Sequence, residues 1–303
     1  MSARRSARLL TLPLVALVAV AGCGGSSGGK QSVSSKNSPG ASASVDSAAA
    51  ALLPASIKSK GSLTVAADAS YAPNEFIGTD GKTVVGMDAD LAAALGKVLG
   101  VKVTVENQSF DSIIPGIVDG KYDLGMSSFT DNKTREKQVD FVDYFVAGTS
   151  FFVKANGGPK VNTLADLCGL SVSVEKGTTQ QDDATAQSAK CTKAGKKKVS
   201  VSVFPDQSGA NLALSSGHVQ VSMADSPVAA YQVKQSNGQF ALSGQAYGTA
   251  PYGIACTKGT GLDNAILAAL KDVMASGTYT QILDKWGIQS GAITTPTING
   301  ATS

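Results

Sequence analysis

The chain has 303 residues, 43% of them hydrophobic and 16% charged, enough for two domains of ordinary size. Its 26 lysines and arginines stand against 23 acids, and the one basic cluster, at 190–198, reads as a solvated surface segment, so charge gives no case for nucleic acid. With one histidine, four cysteines and no zinc-like spacing, the composition also argues against a metal centre, and no cofactor motif appears.

The N-terminus carries Arg4, Arg5 and Arg8, then an apolar run from Leu9 to Gly22 broken by Pro13. That run is short for a bilayer span, and the order of basic, apolar and small residues is that of a secretory signal. Its end, Val20-Ala21-Gly22-Cys23, resembles the lipobox of bacterial lipoproteins. The resemblance implies a signal peptide over 1–22, cleavage before Cys23 and lipid on that cysteine, holding the protein outside the cytoplasm on the cell membrane. Cleavage removes three basic residues and no acid, so the mature chain is formally neutral. Residues 23–51 turn to Gly, Ser and Ala, a composition that buries too little apolar surface to order itself and reads as a flexible tether.

From residue 52 the pattern alternates strand and helix. A strand is expected over 62–67, a helix over 90–99, a strand over 102–107, a helix over 110–119 ended by Gly120, and a strand over 122–126. Strands follow over 170–175, 199–204 and 220–224, with helices over 180–189, around 211–216 and over 226–236. The last helices fall at 262–276 and 279–285, stopped by Gly277 and Gly287. This order predicts an α/β protein of three-layer lobes with largely parallel sheets.

With Cys23 assigned to lipid, three cysteines remain. Cys168 and Cys191 both lie near surface segments, and a disulfide between them closes a loop of about two dozen residues, contributing about 3 kcal/mol in the chain-entropy picture. Cys256, inside apolar Tyr252-Gly-Ile-Ala-Cys, reads as a buried free thiol.

More specific are Tyr71-Ala-Pro-Asn-Glu-Phe, Gly86-Met-Asp-Ala-Asp-Leu opening a helix, and Ser127-Ser-Phe-Thr with Arg135 five residues beyond Thr130. They are joined in order by Phe110-Asp-Ser-Ile-Ile-Pro-Gly, Val139-Asp-Phe, Gly177-Thr-Thr-Gln, Ala224-Asp-Ser-Pro, Asn237-Gly-Gln-Phe and Tyr252-Gly-Ile-Ala. This set resembles family 3 of the bacterial solute-binding proteins, the amino-acid receptors of ABC importers, from about residue 61 to 287. The chain departs from the family at Met87, Ala89 and Asn74. The first two bear on helix packing; the family often has an aromatic at the third, which bears on the side-chain pocket.

The resemblance implies a two-lobed periplasmic-binding-protein fold of type II, with ligand held between lobes joined by two hinge crossings near 144–148 and 248–252. Lobe 1 then comprises 52–145 and 252–290, lobe 2 comprises 146–251, and 291–303 is a C-terminal tail. A free amino acid brings a carboxylate and an ammonium, both costly to desolvate unless paired. Arg135 offers a planar fork for the carboxylate, Ser127, Ser128 and Thr130 add hydroxyls and backbone N–H groups, and Thr178 and Thr179 precede a helix whose free N–H groups favour an anion. Asp225 is expected to take the ammonium from the opposite lobe, unless it merely caps its helix. By the same resemblance Tyr71 and Phe110 flank the ligand and Gln180 reaches its side chain. Asp68, Glu75 and Glu175 cluster at the side-chain end, which suits a cationic side chain such as that of arginine, lysine or ornithine; other polar amino acids, cystine or an opine-like compound are the alternatives. The expected partners are this ligand, an ABC permease and the membrane, with the protein a monomer. The rival readings are a sensing module for a signalling partner and, with Glu175 as the sole acid/base candidate, a cleft enzyme acting on a carboxylated small molecule.

Overall fold

The computed structural model describes residues 44–302. The expected signal segment and Cys23, the expected site of lipid attachment, lie outside these described residues. Order begins earlier than the composition predicts. Helix α1 (Ser47–Ala51) occupies the end of the expected tether: the Asp46 carboxylate caps the amides of Ala48 and Ala49, Ala49 is buried, and the Asp46 amide bonds to the Val98 carbonyl. The correction has a simple cause. Small alanines let a capped turn approach the body closely, so little apolar area suffices.

Helix α2 (Ala55–Lys60) leads into β1 (Ser62–Ala67), after which β2 (Ser70–Tyr71), β3 (Glu75–Ile77) and β4 (Val84–Val85) form a small antiparallel sheet. Helix α3 (Met87–Leu99) begins three residues before the apolar periodicity does, because Met87 and Asp88 are buried with it. Then follow β5 (Lys102–Asn107), α4 (Phe110–Val118) and β6 (Leu124–Gly125), with β1 parallel to both β5 and β6. The second half adds β7 (Val139–Lys154), β8 (Ser171–Glu175), α5 (Thr179–Lys193), β9 (Ser200–Phe204), α6 (Gln207–Ser216), β10 (Val221–Asp225) and α7 (Ser226–Gln235). Strand β11 (Phe240–Thr257) and helices α8 (Leu262–Ala275) and α9 (Thr278–Trp286) complete the described elements.

One eight-stranded sheet in the order β5-β1-β6-β11-β7-β10-β8-β9 runs through both lobes. Its two central strands are the crossings. β7 and β11 pair antiparallel from one lobe to the other; β11 meets β6 in the first, and β7 meets β10 in the second. Their register shifts around Tyr247, Ala250 and Tyr252, where the expected second hinge segment lies. The periodicity reading missed the extent of these strands, 16 and 18 residues, because β7 is buried on both faces and shows no alternation.

In the first lobe Leu91, Leu95 and Val98 of α3 pack with Ile266 and Leu270 of α8, while Ile113 and Ile117 of α4 meet Phe129 and Phe141 on the other face. The second lobe packs Phe151, Val172, Val174 and Met223 beside the Cys168–Cys191 disulfide, whose Cα atoms are 5.6 Å apart; Cys256 is a buried free thiol. The C-terminal segment straps onto the first lobe: Ile298 pairs with Val142, Thr297 Oγ1 and the Gly300 amide donate to Asp143, and the Ala301 amide donates to Asp131. No described helix is long and apolar enough to cross a membrane.

Candidate functional site

Between the lobes lies a cleft with about 340 Å³ of empty space. Tyr71, Phe110, Ser128, Thr130 and Arg135 border it from the first lobe, and Thr178, Thr179, Gln180 and Asp225 from the second. Nine of the expected ligand residues thus converge from six stretches of chain.

Arg135 starts a short 3-10 turn after the Asn132 side chain accepts the amides of Thr134 and Arg135. Its guanidinium lies 5.2 Å from the Phe110 ring centroid and 5.5 Å from that of Phe129, and those two rings stack at 4.5 Å. Nη1 donates to the Thr130 carbonyl at 2.9 Å, and Nη2 to the Gly177 carbonyl of the second lobe at 3.1 Å. A guanidinium has five N–H donors, so three stay free for a planar anion. Burial lowers its pKa, opposed by Tyr71, Asp225, Asp182 and Asp131, but far from enough to discharge an arginine.

In the second lobe Thr178 caps α5, accepting the Gln181 amide and donating to the Glu175 carbonyl. The helix start therefore faces the cleft with Thr179 and Gln180. Gln180 Nε2 bridges Thr149 Oγ1 at 2.8 Å and Asp225 Oδ1 at 2.7 Å, and the Tyr252 hydroxyl donates to Asp225 Oδ2 at 2.6 Å. Asp225 holds the N-cap position of α7 but makes no capping bond. Its carboxylate is turned into the cleft instead. Burial raises its pKa, while Tyr252, Gln180 and the charge of Arg135 pull it down.

Four expected ligand residues, Asp68, Ser127, Glu75 and Glu175, do not border the cleft. Asp68 lies just behind, its carboxylate accepting the Phe110 amide and the Ser70 hydroxyl. Ser127 is fully buried; it accepts the Asp68 amide and donates to Glu75, so it supports the cleft wall and does not face a ligand. Glu75 is a correction of the same kind. Its carboxyl is buried beneath Ser127 and Ser128, which donate to its two oxygens at 3.2 Å. Asn74, expected at the side-chain pocket, is likewise turned inward to Ser128 Oγ at 2.9 Å.

Glu175 differs from these. It ends β8, is fully buried where the lobes meet, and neither of its carboxyl oxygens has a hydrogen-bond partner. The Tyr71 hydroxyl also lacks one by distance and angle, and it lies close enough to Glu175 for each to shift the other's titration. Burial, with the charge of Asp68 beside it, pushes the Glu175 carboxyl up to about 10. Such an arrangement can do one thing well, which is to accept a cation or a donor-rich group.

Further contacts hold the lobes together around the cleft. Lys176 pairs with Asp111 at 2.7 Å, and the Gln207 amide donates to Ser70 Oγ at 3.1 Å. Gln207 also borders the cleft, with Ala224 and Val228, and none of these was found in the sequence. The signal for Gln207 was available: Asp206 is an N-cap, its side chain accepting the Gly209 amide, and places a helix start four residues before the apolar spacing does.

Residues 63–289 match the family described as bacterial extracellular solute-binding proteins, family 3. The arginine-binding protein of Corynebacterium glutamicum is 32% identical over 250 residues, covering 82% of each chain. A solved ancestral arginine-binding protein bound to arginine is 38% identical, covers 75% of this chain and 98% of its own, and superposes with a TM-score of 0.69. An ancestral amino-acid-binding protein described as a precursor of cyclohexadienyl dehydratase is 34% identical, with 76% and 97% covered and a TM-score of 0.68. The shared fold, the ordered motifs and the matched length together make this chain a member of family 3 of the bacterial extracellular solute-binding proteins.

Proposed function

We propose that the protein is the solute receptor of an ABC importer, capturing a free amino acid with a cationic side chain, arginine foremost, and presenting it to the permease. In this reading Arg135, with Ser128, Thr130 and the start of α5, binds the α-carboxylate, and Asp225 binds the ammonium. Tyr71 and Phe110 flank the chain of the ligand. The observation that carries the choice of side chain is Glu175, buried with both oxygens unpaired beside Asp68 and the Tyr71 hydroxyl. A guanidinium supplies donors and positive charge to the unpaired Glu175 oxygens once that carboxyl gives up its proton. The names of the arginine-binding relatives support the same choice. The protein works by binding and release, outside the cytoplasm, as a lipid-anchored monomer tethered through Cys23.

Calorimetric titration of ligand-stripped protein with arginine, lysine, ornithine, glutamine and cystine tests the ligand. Arginine is expected to bind tightest, at micromolar or below. Equal or better binding of glutamine refutes the role given to Glu175, and consumption of any bound ligand would restore the enzyme reading. The anchor is tested by detergent-phase partition, which Cys23→Ser should abolish.

A further inference from the structure

Behind the cleft wall lies a closed set of polar side chains that the binding chemistry does not use. Glu75 and Asp88 are 0% and 1% exposed and adjacent, one from the small sheet and one from the first turn of α3. Every bond they make leads to the 127–128 turn or to a crossing strand. Asp88 Oδ2 accepts the Ser128 amide at 3.0 Å, and its Oδ1 accepts the Tyr144 hydroxyl of β7 at 2.7 Å. Glu75 accepts the hydroxyls of Ser127 and Ser128.

The hydrogen positions in this set follow from the donors around it. Ser127 Oγ already accepts the Asp68 amide, and Ser128 Oγ accepts Asn74 Nδ2, so both hydroxyl hydrogens are left to point at Glu75. Asn74 matters here because an aromatic ring at that position has no such donor. Ser128 itself has φ 51°, a left-handed conformation that side-chain-bearing residues seldom adopt and that surroundings must impose. It borders the cleft, and Thr130, two residues on, both borders the cleft and accepts Arg135 on its carbonyl.

We propose that Glu75 and Asp88 are positioning residues for the cleft: together they clamp Ser128 in its left-handed conformation, fix the 127–130 segment that presents Ser128, Thr130 and Arg135, and tie it through Tyr144 to the crossing strand. Two buried carboxyls side by side cannot both stay ionised, so the pair holds one proton. Burial raises both carboxyls, and the charge of Asp88 adds to the rise at Glu75, so the proton is held within the pair. The other titratable groups acting on the pair are the phenols of Tyr71, Tyr144 and Tyr252, and these are neutral. The pair therefore accepts two hydroxyls, a phenol and an amide while carrying a single negative charge.

The affinity consequence rests on the receptor reading above; the clamp itself does not. Glu75→Gln, Glu75→Leu and Tyr144→Phe are each measured two ways in the full protein: amide hydrogen exchange across 127–130 without ligand, and calorimetric titration with L-arginine. Glu75→Gln keeps one acceptor oxygen and a donor but cannot accept the second hydroxyl, so it should be affected less than Glu75→Leu, which should speed exchange and weaken arginine by about tenfold or more. Should the leucine variant fail to fold, Tyr144→Phe still removes one tie and should raise exchange in the same segment. Parent-like exchange and affinity in Glu75→Leu, or in its place parent-like exchange in Tyr144→Phe, overturns the proposal. So does a glutamine variant as impaired as the leucine one. If the parent protein itself ignores arginine, the receptor reading for that ligand fails, and the exchange data alone decide the clamp.

Discussion

Arginine binding should expel a proton from Glu175. With its carboxyl pushed up to about 10 by burial and by Asp68, Glu175 is neutral at pH 7 before a ligand reaches it. Ionising it there costs about 4 kcal/mol, three pH units at 1.36 kcal/mol each, an order-of-magnitude figure that only a close cation can offset. A guanidinium brought against the unpaired oxygens provides that cation. Its arrival should release about one proton per ligand, so affinity should rise by up to about tenfold per pH unit, or about a hundredfold from pH 6 to pH 8. The sign is set by the raised pKa: the empty protein carries more protons than the complex, so higher pH favours binding. Calorimetry in two buffers of different ionisation enthalpy reads the proton count directly. Glu175→Gln should remove both the proton release and the pH slope while lowering the preference for arginine over glutamine. Tight arginine binding with no proton release and a flat affinity between pH 6 and 8 refutes the reasoning, because the guanidinium then does not meet this carboxyl.

Arg135→Ala should weaken binding by at least about thirtyfold, since loss of a buried charge partner costs about 2–5 kcal/mol, and Arg135→Lys should recover little because it lacks the fork. Affinity within about threefold of the parent in the alanine variant, measured by calorimetry, removes Arg135 from the site. Asp131 should make stability fall as pH rises. Burial, then Asp143 and Glu136, raise its carboxyl to about 7 from 3.8, so the stabilisation it gives when protonated is complete below the unfolded value and lost as pH climbs through about 7. Thermal melts from pH 4 to 8 should show this decline, and Asp131→Asn should flatten it while still accepting the Ala301 amide. Replacing Cys168 and Cys191 by serine should cost about 3 kcal/mol of unfolding free energy, from the loop of 23 residues that the bond closes. Denaturant melts check the size, and arginine affinity should not change, because the bond lies at the opposite end of α5 from the cleft-lining threonines.

Much of the fold was legible from local chemistry. Lys102-Val-Thr-Val-Glu and Ser171-Val-Ser-Val-Glu alternate polar and apolar residues, and the strand assignments follow from a period of two, although β8 is buried on both faces. Glycines at 100, 217 and 287 end helices in left-handed conformations that few other residues accept, and all three fall where the apolar spacing stops. The elements that escaped are those whose ends are set by distant partners. Helix α1 exists because α3 and α8 offer it a seat, and β7 reads as a featureless apolar run because both its faces are covered.

By itself, then, the sequence determined the alternation of strand and helix, the pairing of Cys168 with Cys191, and which residue types stand ready to meet an amino acid. Those are properties of short stretches and of side-chain chemistry. The tertiary structure decided which way those side chains point. Three carboxyls looked alike in the sequence: Asp68 spends itself on the start of α4, Glu75 on two serine hydroxyls, and Glu175 alone keeps both oxygens unpaired. The difference arises because a carboxyl's role depends on the donors within about 3 Å, and these arrive from residues tens of positions away once the two lobes meet.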